Sequence, residues 1–179
     1  MPLPDYLVRA NPTFGQFFTG PTRHSMYSTL LALHSAVRWL VLATLLYALF
    51  RAGRGWLGAR VFSTWDDTVR RGTAGIAQVQ LGLGLWLYGI SPIVAYFLGH
   101  FREAVHERQL RFFGMEHSSV MLTAVLLLSI GSSKAKRQTG DRAKFRTLAL
   151  WYGIALLLIL SSVPWPFSPL VSRPAFRGF

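Results

Sequence analysis

Four long apolar stretches, separated by short basic segments, dominate the pattern of this sequence. They cover residues 27–50, 73–98, 113–130 and 147–163. A helix needs about 20 consecutive apolar residues to cross the hydrocarbon core of a bilayer. The pattern therefore predicts an all-α fold, an integral membrane four-helix bundle whose helices run alternately up and down.

Prolines mark the ends of two of these stretches. Ser91-Pro92 predicts a kink or an end within the second span, because proline lacks the backbone donor that a helix interior needs. Pro164-Trp165-Pro166 closes the fourth span, and its tryptophan suits the interfacial belt. The predicted division is an N-terminal extension over 1–25, interfacial or docking, a four-helix domain over 26–167 and a C-terminal tail over 168–179.

Composition supports a membrane protein. Charged residues make up 15% of the chain, against roughly 25% in soluble domains, and the mean hydropathy is +0.34. There is no cysteine, which excludes disulfides, thiolate metal sites and covalently attached c-type haem. No nucleotide-binding, serine-hydrolase or zinc-protease motif occurs, so an enzyme acting by itself is the less favoured reading.

The net charge of +12 raises the possibility of a nucleic-acid partner. The basic residues, however, cluster between the apolar spans, where topology and anionic lipid headgroups explain them better. The positive-inside rule places loops 51–72 and 131–146 in the cytoplasm and both termini outside. The predicted partners are thus the lipid bilayer and other membrane protein subunits, and not nucleic acid.

Two ionisable pairs interrupt the apolar spans. His34 and Arg38 lie four residues apart on one helical face of span one, and Glu116 and His117 lie near the start of span three. Arg38 and Glu116 are the only formally charged residues within the four predicted spans. An unpaired charge in the membrane is expensive, so these two are expected to pair and to share one layer of the outer half with the histidines.

Polar residues of span two are assigned more modest roles. Gln78 and Gln80 are predicted in the inner half, away from the layer of His34 and His117, with hydrogen bonds across helices. Tyr88 and Ser91 approach that layer and are weaker candidates for the site.

The layer has three chemical interpretations. Two imidazoles on different helices are the arrangement that binds the iron of a b-type haem from both sides, and an arginine suits a propionate. His34 and His117 are then the metal ligands, supported by Arg38 and Glu116. The same groups would also hydrogen-bond a quinone headgroup, or would form only a structural ion pair beside two hydrogen-bonded histidines.

Five motifs in order resemble a family of small four-span bacterial membrane proteins often labelled cytochrome b-like. They are Leu33-His34-Ser35 with Arg38-Trp39, Gln80-Leu81-Gly82-Leu83 with Leu87-Tyr88, Arg111-Phe112-Phe113 with Glu116-His117, Ser133-Lys134-Ala135-Lys136-Arg137, and Ser162 to Phe167. The resemblance implies a four-span fold in the bacterial inner membrane and a haem b cofactor. Chains of this kind begin near Met26, which makes residues 1–25 a candidate docking element.

The predicted function is a membrane subunit of an electron-transfer system, with b-type haem between spans one and three. The alternative is a cofactor-free accessory or structural subunit docked to a larger respiratory or photosynthetic membrane complex.

Overall fold

The structure, a computed structural model, describes residues 21–165, with side chains from Met26 to Trp165. A π-helical turn over Phe112–Glu116 joins the fifth helix to the sixth. In chain order the helices are α1 (Pro21–Leu57), α2 (Thr64–Ile90), α3 (Pro92–Gly99), α4 (Phe101–Ala104), α5 (Arg108–Arg111), α6 (His117–Arg137) and α7 (Asp141–Ser162). No strand occurs in residues 21–165, so the predicted all-α class is confirmed for this range.

Three helical segments are long and apolar enough to cross a membrane, namely Met26–Leu57, Arg108–Arg137 and α7. A fourth candidate is α2 together with α3, which meet at Ser91 with a bend of 60°. The predicted break at Ser91-Pro92 is therefore confirmed, with Pro92 as the first residue of α3. Proline is accepted at that position because the first helical N–H has no intrahelical partner.

The four long helices pack in a ring, α1 against α2, α2 against α6, α6 against α7, and α7 against α1. Neighbours are antiparallel. The start of α2 contacts the end of α1 through Asp66 and Arg51, and the start of α6 contacts the end of α7 through His117 and Ser162. Spans one and three consequently lie on one diagonal of an up-and-down bundle.

The core of the bundle holds both aliphatic and small side chains, including the fully buried Leu45, Ala124, Leu128, Tyr152 and Ala155. Its outside is also apolar, since large side chains such as Phe50, Val79, Trp86, Ile154 and Leu157 are exposed. Helices that are apolar all round are typical of membrane spans, where lipid covers the outward face.

The helices extend further than the apolar stretches. Most of residues 51–72, predicted as a loop, is helical, and only Gly58–Ser63 connects α1 to α2. In the same way α6 continues to Arg137, which leaves three residues before α7. The reason is that hydropathy marks where lipid contact ends, whereas arginine and lysine are good helix formers and let the helix continue into the headgroups.

The termini are only partly described. Helix α1 begins at Pro21, so the predicted boundary at residue 25 falls within a helix rather than at its start. Residues 1–20 of the predicted extension and the predicted tail over 168–179 lie outside the described residues.

Candidate functional site

A cavity of about 170 Å³ lies inside the bundle between α1, α2 and α6, near the C-terminal end of α7. We call it the histidine cavity because His34 and His117 both line it. Its other polar lining residues include Arg38, Gln80, Tyr88 and Ser91, and much of the remaining wall is aliphatic or aromatic. None of the described residues that line it is acidic. The structure thus brings together three of the four predicted site residues, and also Tyr88 and Ser91.

Helix α2 fixes the position of His34 from two sides. The amide Nε2 of Gln80 donates a hydrogen bond to the backbone carbonyl of His34 at 2.9 Å. One turn further along, Gly84 makes room for the imidazole, since a Cβ there would lie 3.2 Å from the ring carbon Cε1. Within the described part of the chain, Nδ1 of His34 and Oε1 of Gln80 are buried without a hydrogen-bond partner.

The hydrogen bonds assign a tautomer to each neutral imidazole. Nδ1 of His117 lies 2.8 Å from the carbonyl oxygen of Ser162 and must therefore donate, which leaves its Nε2 as an acceptor. Nδ1 of His34 has no acceptor among residues 21–165, and a buried N–H without one costs about 1–3 kcal/mol. His34 therefore carries its proton on Nε2. The cavity holds one histidine with an Nε2 donor and one with an Nε2 acceptor.

A b-type haem fits this donor set only in part. His117 would be the residue to hold the iron, because its Nδ1–H is bonded to a backbone carbonyl, as is usual for histidines that ligate metals. His34 would coordinate through Nε2 only after moving its proton to the enclosed Nδ1. A cavity of about 150 Å³ holds one benzene-sized ring, so the space here is far smaller than a porphyrin. Within residues 21–165 no group of three or more metal-ligating side chains is present.

Glu116 pairs with Arg111 and not with Arg38, its predicted partner. Its carboxylate accepts a hydrogen bond from Nε of Arg111 at 2.6 Å, its side chain is 39% exposed, and it does not line the histidine cavity. The cause is the π-helical turn, in which residues five apart lie above one another. The predicted pairing of Arg38 with Glu116 is therefore wrong. The guanidinium carbon of Arg38 lies 5.5 Å from the ring centroid of Trp39, on the wall of the cavity.

Gln80 lies closer to the outer end of span two than predicted. A straight helix to Leu98 would put Gln80 about 27 Å from its outer end, but α2 ends at Ile90 and leaves about 15 Å. Gln80 therefore reaches the histidine cavity. Gln78 bonds across helices as predicted, donating from Nε2 to Oγ of Ser129 at 3.1 Å.

A second polar cluster, at the opposite end of the bundle, was missed by the sequence reasoning. Asp66 and Arg70 are 5% and 4% exposed although they were placed in a loop. Asp66 accepts from Nε of Arg51 at 2.7 Å and forms a capping box with Ser63 at the start of α2. The spacing of Ser63 and Asp66 is the signal that would have found the helix start.

Comparisons with known proteins add no assignment to this geometry. No family model, no curated protein and no solved structure matches the chain.

Proposed function

We propose that the chain is a membrane subunit of an electron-transfer system and that its redox-active group occupies the histidine cavity. The main observation is that His34 and His117, the two histidines of the predicted spans, line one cavity together with Arg38 and Gln80. Polar side chains are costly in an apolar bundle core, so several of them around one cavity favour a bound ligand or water there. The proposed location is the bacterial inner membrane, with the segments joining α1 to α2 and α6 to α7 in the cytoplasm.

This function is tested by determining which cofactors and subunits co-purify with the full chain. It would be extracted from membranes in a mild detergent, and the preparation would be examined for haem by a reduced-minus-oxidised spectrum and for quinone by solvent extraction. Co-purifying subunits would be identified by mass spectrometry. We expect a redox-active group to be retained by the chain and lost in His34→Phe with His117→Phe. The exposed His106→Phe is the control. A preparation with neither group and no redox subunit would contradict the proposal.

Haem b is one candidate for the redox-active group in the histidine cavity. It is favoured by the bond from Nδ1 of His117 to Ser162, since a bond of this kind orients the ring of histidines that ligate metals. A bound haem would supply one-electron transfer at its iron. The spectrum would then show a b-type α-band that His117→Phe removes. An unchanged band in that variant would exclude His117 as a ligand.

The cofactor-free accessory subunit also stays a prediction. It depends on docking by residues 1–25, most of which lie outside the described residues. Its test is a chain lacking Met1 to Gly20, which keeps the whole of α1. Weaker co-purification with a larger complex would support docking, and unchanged co-purification would count against it.

A further inference from the structure

We infer that the ligand of the histidine cavity is the headgroup of a lipid-soluble quinone. This inference rests on the proposed function and names the ligand class for the same site. It draws on three independent properties of the cavity: its size, its pattern of hydrogen-bond donors and acceptors, and its charge.

Size favours a single ring. The cavity of about 170 Å³ is close to the volume of about 150 Å³ that accommodates one benzene ring. A quinone headgroup is a six-membered ring with two opposite oxygens, or two fused rings. The cavity is partly open, and its wall includes Leu31, Leu81 and Leu85, so an isoprenoid tail has an apolar exit.

The two histidine tautomers together match the reduced form of a quinone, and His34 alone also matches the oxidised form. The protonated Nε2 of His34 donates to a carbonyl oxygen of the oxidised form. The unprotonated Nε2 of His117 accepts from a hydroxyl of the reduced form. His117 cannot exchange its role without losing the bond from Nδ1 to Ser162. His34 cannot exchange its role without placing its proton on Nδ1, which has no acceptor among residues 21–165.

The charge of the wall points in the same direction. Arg38 contributes a guanidinium, and no described lining residue is acidic. A wall without a described acidic residue offers no counter-charge to a cationic ligand, whereas a neutral quinone needs none. The small volume and the Nε2 proton of His34 disfavour a porphyrin.

The sharpest test exploits two glycines of α2 that differ only in their surroundings. A Cβ at Gly84 would press on the ring of His34 and reduce the cavity, whereas a Cβ at Gly82 meets nothing within 4 Å. The full chain in lipid nanodiscs would be titrated with a short-chain ubiquinone and with menadione, followed by quenching of tryptophan fluorescence. We expect saturable binding to the wild-type chain, weakened about tenfold in Gly84→Ala, the equivalent of one lost hydrogen bond. Gly82→Ala should bind like the wild type.

A second pair of variants tests the hydrogen bond itself. His34→Phe keeps the aromatic ring but removes the donor, and the exposed His106→Phe is its control. p-Xylene serves as a ring of similar size without oxygens. Weaker quinone binding in His34→Phe, with little competition by p-xylene, supports the inference. Equal quinone binding in all variants, or displacement of the quinone by p-xylene, overturns it.

The outcomes separate this inference from the proposed function. Purified chain that carries haem and binds no quinone overturns the quinone assignment and leaves the electron-transfer function standing. Chain that carries no haem, binds neither quinone and accompanies no redox subunit overturns both.

Discussion

Arg70 was predicted to lie in a loop, but the structure places it in the bundle as a buried residue of α2. It is almost fully buried, yet its donors are used: Nη1 bonds the carbonyl and hydroxyl oxygens of Ser132, and Nε and Nη2 bond Asp67. The hydroxyl of Tyr152 in turn donates to the backbone carbonyl of Arg70 at 2.8 Å. The guanidinium of Arg70 thus links α2 to α6, and its backbone carbonyl links α2 to α7. A buried charge is tolerated when its hydrogen bonds are complete.

Replacing Arg70 should destabilise the bundle. Arg70→Met leaves Ser132 without its buried donor, and we expect a loss of about 2–3 kcal/mol, the usual contribution of charged hydrogen bonds. The matched control is Arg71→Met, since Arg71 also pairs with Asp67 but is 66% exposed. Exposed pairs contribute about 0–1 kcal/mol. Thermal unfolding of both variants in one detergent, followed by circular dichroism, measures the difference. Equal melting temperatures would contradict this role of Arg70.

At the scale of elements, close helix approach depends on particular glycines. Gly131 of α6 packs directly on Trp151 of α7, where a Cβ would overlap the first side-chain atoms of the tryptophan. Those atoms lie next to the backbone and have little freedom to move away. Small residues at such contacts let membrane helices approach, which matters because lipid provides no hydrophobic drive for their association.

Gly131→Ala should therefore separate α6 from α7. We expect it to lower stability by about 1–3 kcal/mol, the usual effect of overpacking. Gly75→Ala in α2 is the control, because nothing lies within 4 Å of its Cβ position. Where a helix interior has space for the added Cβ, replacing glycine by alanine stabilises the protein by about 0.5–1 kcal/mol. The readout is the melting temperature of each variant, and a stabilising Gly131→Ala would show that the contact is not tight.

Two irregular elements shape the histidine cavity. The 60° bend at Ser91 shortens α2 and brings Gln80 to the level of His34. The π-helical turn before α6 places Glu116 beside Arg111, away from the cavity. Tyr88 connects the two, since its hydroxyl donates to the carbonyl of Gly114 within the turn at 2.8 Å. Irregular turns of this kind are often found at functional sites.

At the scale of the molecule, the two ends of the bundle differ in charge. Near the α1–α2 and α6–α7 connections, Asp66, Asp67 and Asp141 are outnumbered by basic residues: Arg51, Arg54, Arg60, Arg70, Arg71, Lys134, Lys136, Arg137, Arg142, Lys144 and Arg146. The described part of the other end carries fewer basic residues, namely Arg23, Arg102, Arg108 and Arg111. This asymmetry sets the expected orientation.

Single cysteines would test that orientation, because the chain has none of its own. Thr139→Cys lies in the exposed α6–α7 turn and His106→Cys lies at the opposite end. A membrane-impermeant maleimide added to intact spheroplasts should label His106→Cys at once. It should label Thr139→Cys only after permeabilisation. The reverse pattern would invert the topology, and immediate labelling of both would contradict a bundle that crosses the membrane.

The apolar stretches of this sequence determined the helical class, the approximate spans and the break at Pro92, because those features depend on local hydropathy and backbone chemistry. The same pattern identified His34, Arg38 and His117 as candidate site residues, because a polar side chain inside a membrane span is costly unless it has a partner or faces a cavity. The pairing of Glu116 with Arg111, the arrival of Gln80 in the cavity and the burial of Arg70 were decided only by tertiary structure. Each depends on a bend, a π-helical turn or a helix extension, and on the contacts that these irregularities create between residues distant in sequence.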